Sequence, residues 1–363
     1  MTQAHRWHRL KRLLQSELQQ LTAINPSDRL WQMPVAAALA TGLPLLIGVY
    51  FGHMDYGLIS MLGGLVFLYL PNTPLSHRMV WLMACSFGMA ACFTLGVMSH
   101  FFPLLMTWVL IFIAILATMV CRYYGLGPPG SLFFIMAAAI GAFSPGEVLE
   151  VPLKVGLLSM GALLAVLIAF FYSLYSLRLR AAEAVPPRPP PSFDFVVFDA
   201  VVIGAFVGIS LALAQALQLE RPYWVPVSCL AVIQGVSLRA VWDKQLHRVL
   251  GTAIGLLLSW GLLLALGPWS IALLMVVLVF VIETTVVRHY GFAVIFITPL
   301  TIFLAEAATL GQAAPAVLIE ARFIDTVLGC IVGLAGAACL HSPRFRAVVG
   351  RQLRRLTPSR LIR

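Results

Sequence analysis

Residues 101–121 read FFPLLMTWVLIFIAILATMVC, a run of 21 residues without a charged side chain. A helix needs about 20 apolar residues to cross the hydrocarbon core of a bilayer, so this run predicts a transmembrane helix. It is followed by Arg122-Tyr123-Tyr124-Gly125, a cation and two aromatic residues before a turn residue. Such residues are typical of the membrane–water interface, where they mark the end of a span.

The rest of the chain continues this pattern. Of its 363 residues, 61% are hydrophobic and 10% are charged, whereas an ordinary soluble domain has about 25% charged residues. We count twelve apolar segments, at residues 31–51, 57–70, 79–99, 101–121, 128–143, 152–176, 196–217, 222–237, 247–266, 268–287, 291–306 and 323–340. Twelve spans of about 20 residues leave room only for loops and tails. This excludes an attached nucleotide-binding domain, and no phosphate loop ending in Gly-Lys-Ser/Thr occurs.

The positive residues predict the topology. With the N-terminus in the cytoplasm, Lys154, Arg221 and Arg322 fall on the far side and the other Lys and Arg residues on the cytoplasmic side. Cytoplasmic loops accumulate Lys and Arg, so we interpret the net charge of +10 as a topology signal and expect no nucleic-acid partner. The six cysteines lack CxxC or metal-ligand spacing, and we expect no disulfide, metal or cofactor.

The segments divide the chain into five parts. Residues 1–29 predict a retained amphipathic helix on the cytoplasmic membrane face, and residues 30–177 hold the first six spans. Residues 178–194 form a Pro-rich cytoplasmic linker, residues 195–341 hold the next six spans, and residues 342–363 form a basic cytoplasmic tail. The fold class is therefore an all-α polytopic membrane protein with both termini in the cytoplasm.

An internal repeat relates the two sets of spans. Arg122-Tyr123-Tyr124-Gly125 recurs as Arg288-His289-Tyr290-Gly291, an offset of 166, and Lys154 corresponds to Arg322 at an offset of 168. Each half has an even number of spans, so the repeats are parallel and a substrate path between them is expected. The second and fifth spans of each half are short and broken by Gly or Pro, which points to a transport site. Tilted or kinked helices are the alternative.

Three motifs of the second half carry a family resemblance: Pro222-Tyr223-Trp224-Val225-Pro226, Arg248-Val249-Leu250-Gly251-Thr252 and Arg322-Phe323-Ile324-Asp325-Thr326. With them the chain resembles the fusaric acid resistance and aromatic acid exporter family. The first half is similar but degenerate, since it has Lys154 in place of the arginine and no aspartate three residues later.

This resemblance implies a bacterial inner-membrane efflux transporter for organic, often aromatic, acids that works with a periplasmic membrane-fusion adaptor. We expect a secondary transporter and not an enzyme, because no nucleophile–base pair, metal cluster or carboxylate dyad stands out. Proton coupling is expected from the intramembrane carboxylates. Two other classes stay open, a passive organic-anion channel and a non-transporting scaffold subunit, and the sequence also leaves a homodimer open.

Ionisable groups within membrane spans are functional candidates. Arg322 and Asp325 lie one helical turn apart. Asp325 could take a proton and free Arg322 for a substrate carboxylate, or the two could form a self-neutralising pair. Lys154 would face Arg322 across the pseudo-axis, or pair with Glu150. Glu283 has no basic residue near it on its own helix, so it carries a proton or finds a partner on another helix.

The remaining candidates lie at span ends. Arg78, Arg122, Arg248 and Arg288 would ring the cytoplasmic ends and attract an anion, or they only set the topology. The aromatic residues Tyr124, Tyr223, Trp224 and Tyr290 would stack on an aromatic ligand, or they form an interfacial belt. The pairs Gly251/Gly255 and Gly329/Gly333 predict close helix packing without a chemical role.

Overall fold

Each of the twelve apolar segments coincides with a helix in the computed structural model, which describes residues 22–187, 192–235, 237–263, 267–306 and 315–356. The helices are α1 (Gln32–Tyr50), α2 (Met54–Gly64), α3 (Leu75–His100), α4 (Pro103–Tyr123), α5 (Leu132–Ala142), α6 (Val151–Leu179), α7 (Asp199–Ala216), α8 (Trp224–Ile233), α9 (Leu238–Leu263), α10 (Pro268–Thr285), α11 (Tyr290–Glu306), α12 (Pro315–His341) and α13 (Pro343–Leu356). The amphipathic helix predicted within residues 1–29 has its hydrophobic positions outside the described residues.

Helix length separates two groups. In the described part of the chain, seven helices are long and apolar enough to cross a membrane, namely α1, α3, α4, α6, α7, α9 and α12. The shorter apolar helices are α2, α5, α8, α10 and α11. The short second and fifth segments of each half are therefore confirmed, and α10 is shorter than expected. The chain is a multi-pass helical protein, while the count of twelve spans stays a prediction.

The two halves use the same helix pairings. In the first half α2 packs on α1 and α6, and α3 packs on α5 and α6. In the second half α8 packs on α7 and α12, and α9 packs on α11 and α12. Each of these four pairings of the first half thus has its counterpart six helices later, which is the arrangement expected of duplicated six-helix units.

Two seams join the halves, one between α4 and α7 and one between α1 and α10. Gly208 of α7 lies against Ile111 of α4, and Gly42 of α1 lies against Val276 of α10. The two glycines are 166 residues apart (208 − 42), the offset that separates Arg122 from Arg288. A glycine lets two helix backbones approach closely, so both seams are built in the same way.

A salt bridge closes each seam at the end where α4 and α10 finish. Arg122 Nη1 lies 2.5 Å from Asp199 Oδ2 at the start of α7. Arg29, which precedes α1, has its Nη1 3.1 Å from Glu283 Oε2 on α10. In the α4–α7 seam the base is on α4 and the acid on α7, whereas in the α1–α10 seam the base precedes α1 and the acid is on α10. The ion pairs therefore occupy equivalent places with opposite polarity.

The short helices α5 and α8 also meet across the halves. At one end, the Phe143 ring lies 5.7 Å from the Tyr223 ring. At the other end, Gln234 Nε2 donates a hydrogen bond of 2.9 Å to Ser131 Oγ. The first residues of α5 therefore lie beside the last residues of α8, so the two helices are antiparallel and hold α8 between the halves.

Candidate anion-binding site

The candidate site is built on α8, all of whose residues are buried. Trp224 and Ser228 lie four residues apart and share one face of this helix. On α12, a Cβ at Gly329 would lie 2.6 Å from Ser228 Cβ, and one at Gly333 would lie 2.8 Å from the Cys229 carbonyl oxygen. The predicted close packing at Gly329 and Gly333 is thus confirmed, and it brings the polar side chains of α12 against α8.

Gly251 and Gly255 allow a similarly close approach between α9 and α11. A Cβ at Gly251 would lie 2.7 Å from the Gly291 carbonyl oxygen, and one at Gly255 would lie 2.6 Å from the Ile295 carbonyl oxygen. These contacts hold α11 against α9. Four helices, α8, α9, α11 and α12, therefore enclose the site.

Arg322 is the centre of the site and is only 4% exposed. Its guanidinium carbon lies 4.0 Å from the centre of the Trp224 ring, and Nη2 donates a hydrogen bond of 3.1 Å to Thr301 Oγ1. Nε and Nη1 are buried and have no hydrogen-bond partner among the described residues. A guanidinium carries five N–H donors, so the ring and Thr301 orient this group while most of its donors remain available.

Asp325 lies one turn further along α12 and is fully buried. Neither of its carboxylate oxygens has a hydrogen-bond partner within the described ranges. The self-neutralising alternative would pair Arg322 and Asp325 directly, and no hydrogen bond joins them here. Free donors and free acceptors therefore lie near each other in the protein interior.

Arg248 is placed beside this group, against the neighbouring turn of α8. It is 6% exposed, and it donates hydrogen bonds of 3.1 Å to Ser228 Oγ and 3.2 Å to Tyr290 Oη. Because Ser228 is one turn from Trp224, Arg248 and Arg322 contact successive turns of α8. Ser228 and Thr301 were not among the residues predicted from sequence. A signal for Ser228 is present, because Ser60 precedes it by 168 residues, the offset between Lys154 and Arg322.

We call these residues the α8 site: Trp224, Ser228, Arg248, Thr301, Arg322 and Asp325. The set contains two buried guanidinium groups and one buried carboxyl group, so it has an excess of positive charge even when Asp325 is ionised. Removing a charged group from water costs several kcal/mol unless a partner of opposite charge or a set of hydrogen bonds compensates for it. The α8 site is therefore suited to an anion that accepts hydrogen bonds.

The other predicted cations lie outside the α8 site. Lys154 Nζ lies 3.4 Å from Glu150 Oε2 and donates a hydrogen bond to the Pro145 carbonyl oxygen. Its partners come from its own segment, which is the second of the two alternatives for this residue. Arg78 is buried, with Nε donating to the Thr73 carbonyl oxygen at 2.6 Å and Nη1 donating to Ser176 Oγ at 3.0 Å. It joins α3 to α6.

The remaining candidates each have separate surroundings. Glu283 is paired with Arg29, so its partner comes from the segment before α1. Arg122 is paired with Asp199, and the side chain of Arg288 is exposed. Tyr124 is 44% exposed, as expected of an interfacial residue. The structure thus gathers Arg322, Asp325, Trp224 and Arg248 together, with Tyr223 and Tyr290 at the edge, and leaves the others apart.

The fold and the α8 site define a multi-pass helical membrane protein with a buried cationic centre. Residues 200–336 match the family model described as fusaric acid resistance protein-like, and this stretch contains every residue of the α8 site. The family resemblance of the second half is thereby confirmed. The chain is also similar to the "Uncharacterized membrane protein YvaC" of Bacillus subtilis (strain 168), with 22% identity over 85% of this chain and 72% of the relative. No solved structure matches the chain.

Proposed function

We propose that this chain is an inner-membrane exporter of organic anions and that the α8 site binds the carboxylate of the substrate. One observation carries the proposal, the guanidinium of Arg322, which is buried against Trp224 while its Nε and Nη1 groups are unpartnered among the described residues. A guanidinium binds a carboxylate through paired hydrogen bonds. The stacked ring fixes its plane, so less conformational freedom is lost on binding.

Aromatic acids are the proposed substrate class. Tyr223 precedes Trp224, and its ring lies 5.3 Å from the Trp224 ring and 5.7 Å from that of Phe143. The three rings form one aromatic cluster, which meets Arg322 at Trp224. Aromatic rings favour offset or edge-to-face contacts with one another, which a benzoate-like substrate offers and an aliphatic acid does not.

We assign proton coupling to Asp325 in preference to Glu283. Asp325 is buried without a hydrogen-bond partner in the described structure, whereas Glu283 is already paired with Arg29. Protonation of Asp325 removes the negative charge that acts on Arg322, so the proton and the substrate anion each change the affinity of the site for the other. This reciprocity is the requirement for coupling two ligands through one site.

The matching helix pairings and the two similar seams support two parallel six-helix repeats. We propose twelve spans with both termini in the cytoplasm, which agrees with the distribution of Lys and Arg. A periplasmic adaptor as partner rests on the family resemblance alone. The short helices α2, α5, α8 and α11 are the segments that would surround the substrate path.

The test uses the full chain reconstituted in lipid vesicles, with radiolabelled benzoate as the probe and the membrane potential clamped. We expect accumulation that follows an imposed pH gradient, and we expect Arg322→Gln to abolish it. Asp325→Asn should retain benzoate binding but lose the response to the gradient. Arg178→Gln, an exposed arginine at the end of α6, is the control and should transport normally.

The outcomes separate the three classes of function. Flux that is indifferent to the pH gradient would contradict coupling and identify a passive anion channel. Absence of flux from vesicles that contain folded protein would favour a scaffold subunit. Normal flux in Arg322→Gln would show that the α8 site does not bind the substrate.

A further inference from the structure

The C-terminal helix α13 begins at Pro343, two residues after α12 ends at His341. Since α12 is long and apolar enough to cross a membrane, α13 starts at the membrane surface. It has 14 residues, which corresponds to a length of about 21 Å. Its sequence, PRFRAVVGRQLRRL, contains five arginines and no acidic residue.

Contacts with the start of the second half determine which face of α13 points outward. Phe345, Val349 and Leu353 pack against the hydrophobic core, and the Phe345 ring lies 6.3 Å from the Phe198 ring. Arg346 Nη1 lies 3.0 Å from Asp199 Oδ1, and Arg354 Nη2 lies 3.0 Å from Asp194 Oδ1. The apolar face of α13 is therefore occupied by protein and is not free to enter the bilayer.

The opposite face carries three exposed arginines, Arg344, Arg351 and Arg355. Their spacing of seven and four residues places them in one stripe along the helix. None of the three has a hydrogen bond or ion pair with any residue in the described part of the chain. Three guanidinium groups thus point away from the protein, close to the end of α12.

We propose that the stripe of Arg344, Arg351 and Arg355 binds the headgroup phosphates of anionic phospholipids. Guanidinium groups bind phosphate through paired, charge-assisted hydrogen bonds. Basic clusters directly beside a transmembrane helix are attracted to anionic leaflets. If the three arginines only faced water, α13 would need no particular rotation about its axis. The ion pairs of Arg346 and Arg354 instead fix the rotation that keeps these arginines exposed.

The test is a titration of the detergent-solubilised full chain with phosphatidylglycerol, in which bound lipid is counted by native mass spectrometry. In the triple variant Arg344→Gln/Arg351→Gln/Arg355→Gln we expect the apparent affinity for phosphatidylglycerol to fall roughly a hundredfold. Each of the three arginines is expected to contribute a similar factor to binding at an anionic surface. Phosphatidylcholine and inorganic phosphate, added in separate titrations, should bind weakly to the wild type and all variants. The affinity of the wild type should fall with added salt.

The control is a charge-matched triple variant, Arg178→Gln/Arg239→Gln/Arg288→Gln, at exposed arginines outside α13. It should keep most of the wild-type affinity. An equal loss of affinity in both triple variants would show that net charge alone causes the effect, and it would overturn the proposal. Retention of affinity in the α13 variant would overturn it as well. If that variant unfolds, the single variant Arg351→Gln must still lower the affinity, and failure to do so overturns the proposal.

Discussion

A guanidinium inside a membrane protein keeps its charge, so its neighbours or a ligand must stabilise it. Arg322 and Arg78 are both 4% exposed, yet they differ in their surroundings. Arg78 donates hydrogen bonds to Thr73, Ser173 and Ser176. Among the described residues, Arg322 donates one hydrogen bond, to Thr301, and contacts the Trp224 ring. The same residue type thus connects helices at one position and remains available for a ligand at the other.

The Trp224 ring is expected to contribute to anion binding through Arg322. Trp224→Leu removes a cation–π contact worth about 2 kcal/mol in a desolvated site. Benzoate affinity should therefore fall roughly thirtyfold, as measured by isothermal titration calorimetry on the purified chain. Trp108→Leu, at a ring that is 68% exposed on α4, is the control and should bind benzoate normally. Equal affinity in Trp224→Leu and the wild type would contradict the stacking role.

At the scale of helices, glycine determines how closely α8 and α12 approach. A Cβ at Gly329 would lie 2.5 Å from the Val225 carbonyl oxygen and 3.0 Å from the Cys229 backbone nitrogen. Both neighbours are backbone atoms that cannot rotate away. Any side chain at Gly329 must therefore push α12 away from α8, and with it Arg322 away from Trp224.

Gly329→Ala should lower the free energy of unfolding by about 1–3 kcal/mol, the usual cost of overpacking a core. It should also weaken benzoate binding, because the α8 site widens. The control is Gly156→Ala on α6, where a Cβ would meet no atom within 4 Å. Thermal unfolding in detergent measures the difference in stability between the two variants. A Gly329→Ala protein as stable as the Gly156→Ala protein would contradict the close packing.

The ion pair at the α1–α10 seam yields a further prediction. Arg29→Glu leaves the buried Glu283 without its partner and should destabilise the protein by roughly 1–3 kcal/mol. The double variant Arg29→Glu/Glu283→Arg restores an ion pair with reversed polarity, as in the α4–α7 seam, and should recover much of the loss. The midpoint of thermal unfolding reports both effects. A double variant less stable than Arg29→Glu alone would show that the pair does not close the seam.

At the scale of the whole molecule, the two halves share their helix pairings but differ in chemistry. At an offset of 168, Arg322 corresponds to Lys154, Trp224 to Tyr56 and Asp325 to Leu157. Lys154 is held by Glu150 and Pro145 in its own segment. The first half, as described within residues 30–177, therefore shares these helix pairings with the second half but has no equivalent of the α8 site at the corresponding positions.

This asymmetry predicts that one binding site operates in each chain. Lys154→Ala should retain most benzoate transport in reconstituted vesicles, because it removes a partly exposed ion pair worth about 0–1 kcal/mol and a hydrogen bond within its own segment. Arg322→Ala should abolish transport in the same assay. Equal loss in the two variants would contradict a single site and favour an anion path lined by both halves.

Hydropathy alone predicted the helical membrane class, the position of each apolar helix and the shortness of α2, α5, α8 and α11. These features are local, since a segment of the right length and polarity forms a helix regardless of distant residues. The glycine pairs also followed from local spacing, and Arg322 and Trp224 were among the candidates that the sequence offered. The interpretation of Arg248 as part of an outer ring did not anticipate its contact with Ser228 on α8.

The sequence by itself therefore determined the elements of this protein, their polarity and the residue types available for anion binding. Only the tertiary structure decided that Arg248 and Arg322 contact successive turns of α8, that Glu283 meets Arg29 and that α13 presents its arginines outward. The physical reason is that these partners are distant in sequence. Their contacts depend on how the helices cross and rotate, which close packing at glycines such as Gly329 determines and hydropathy does not encode.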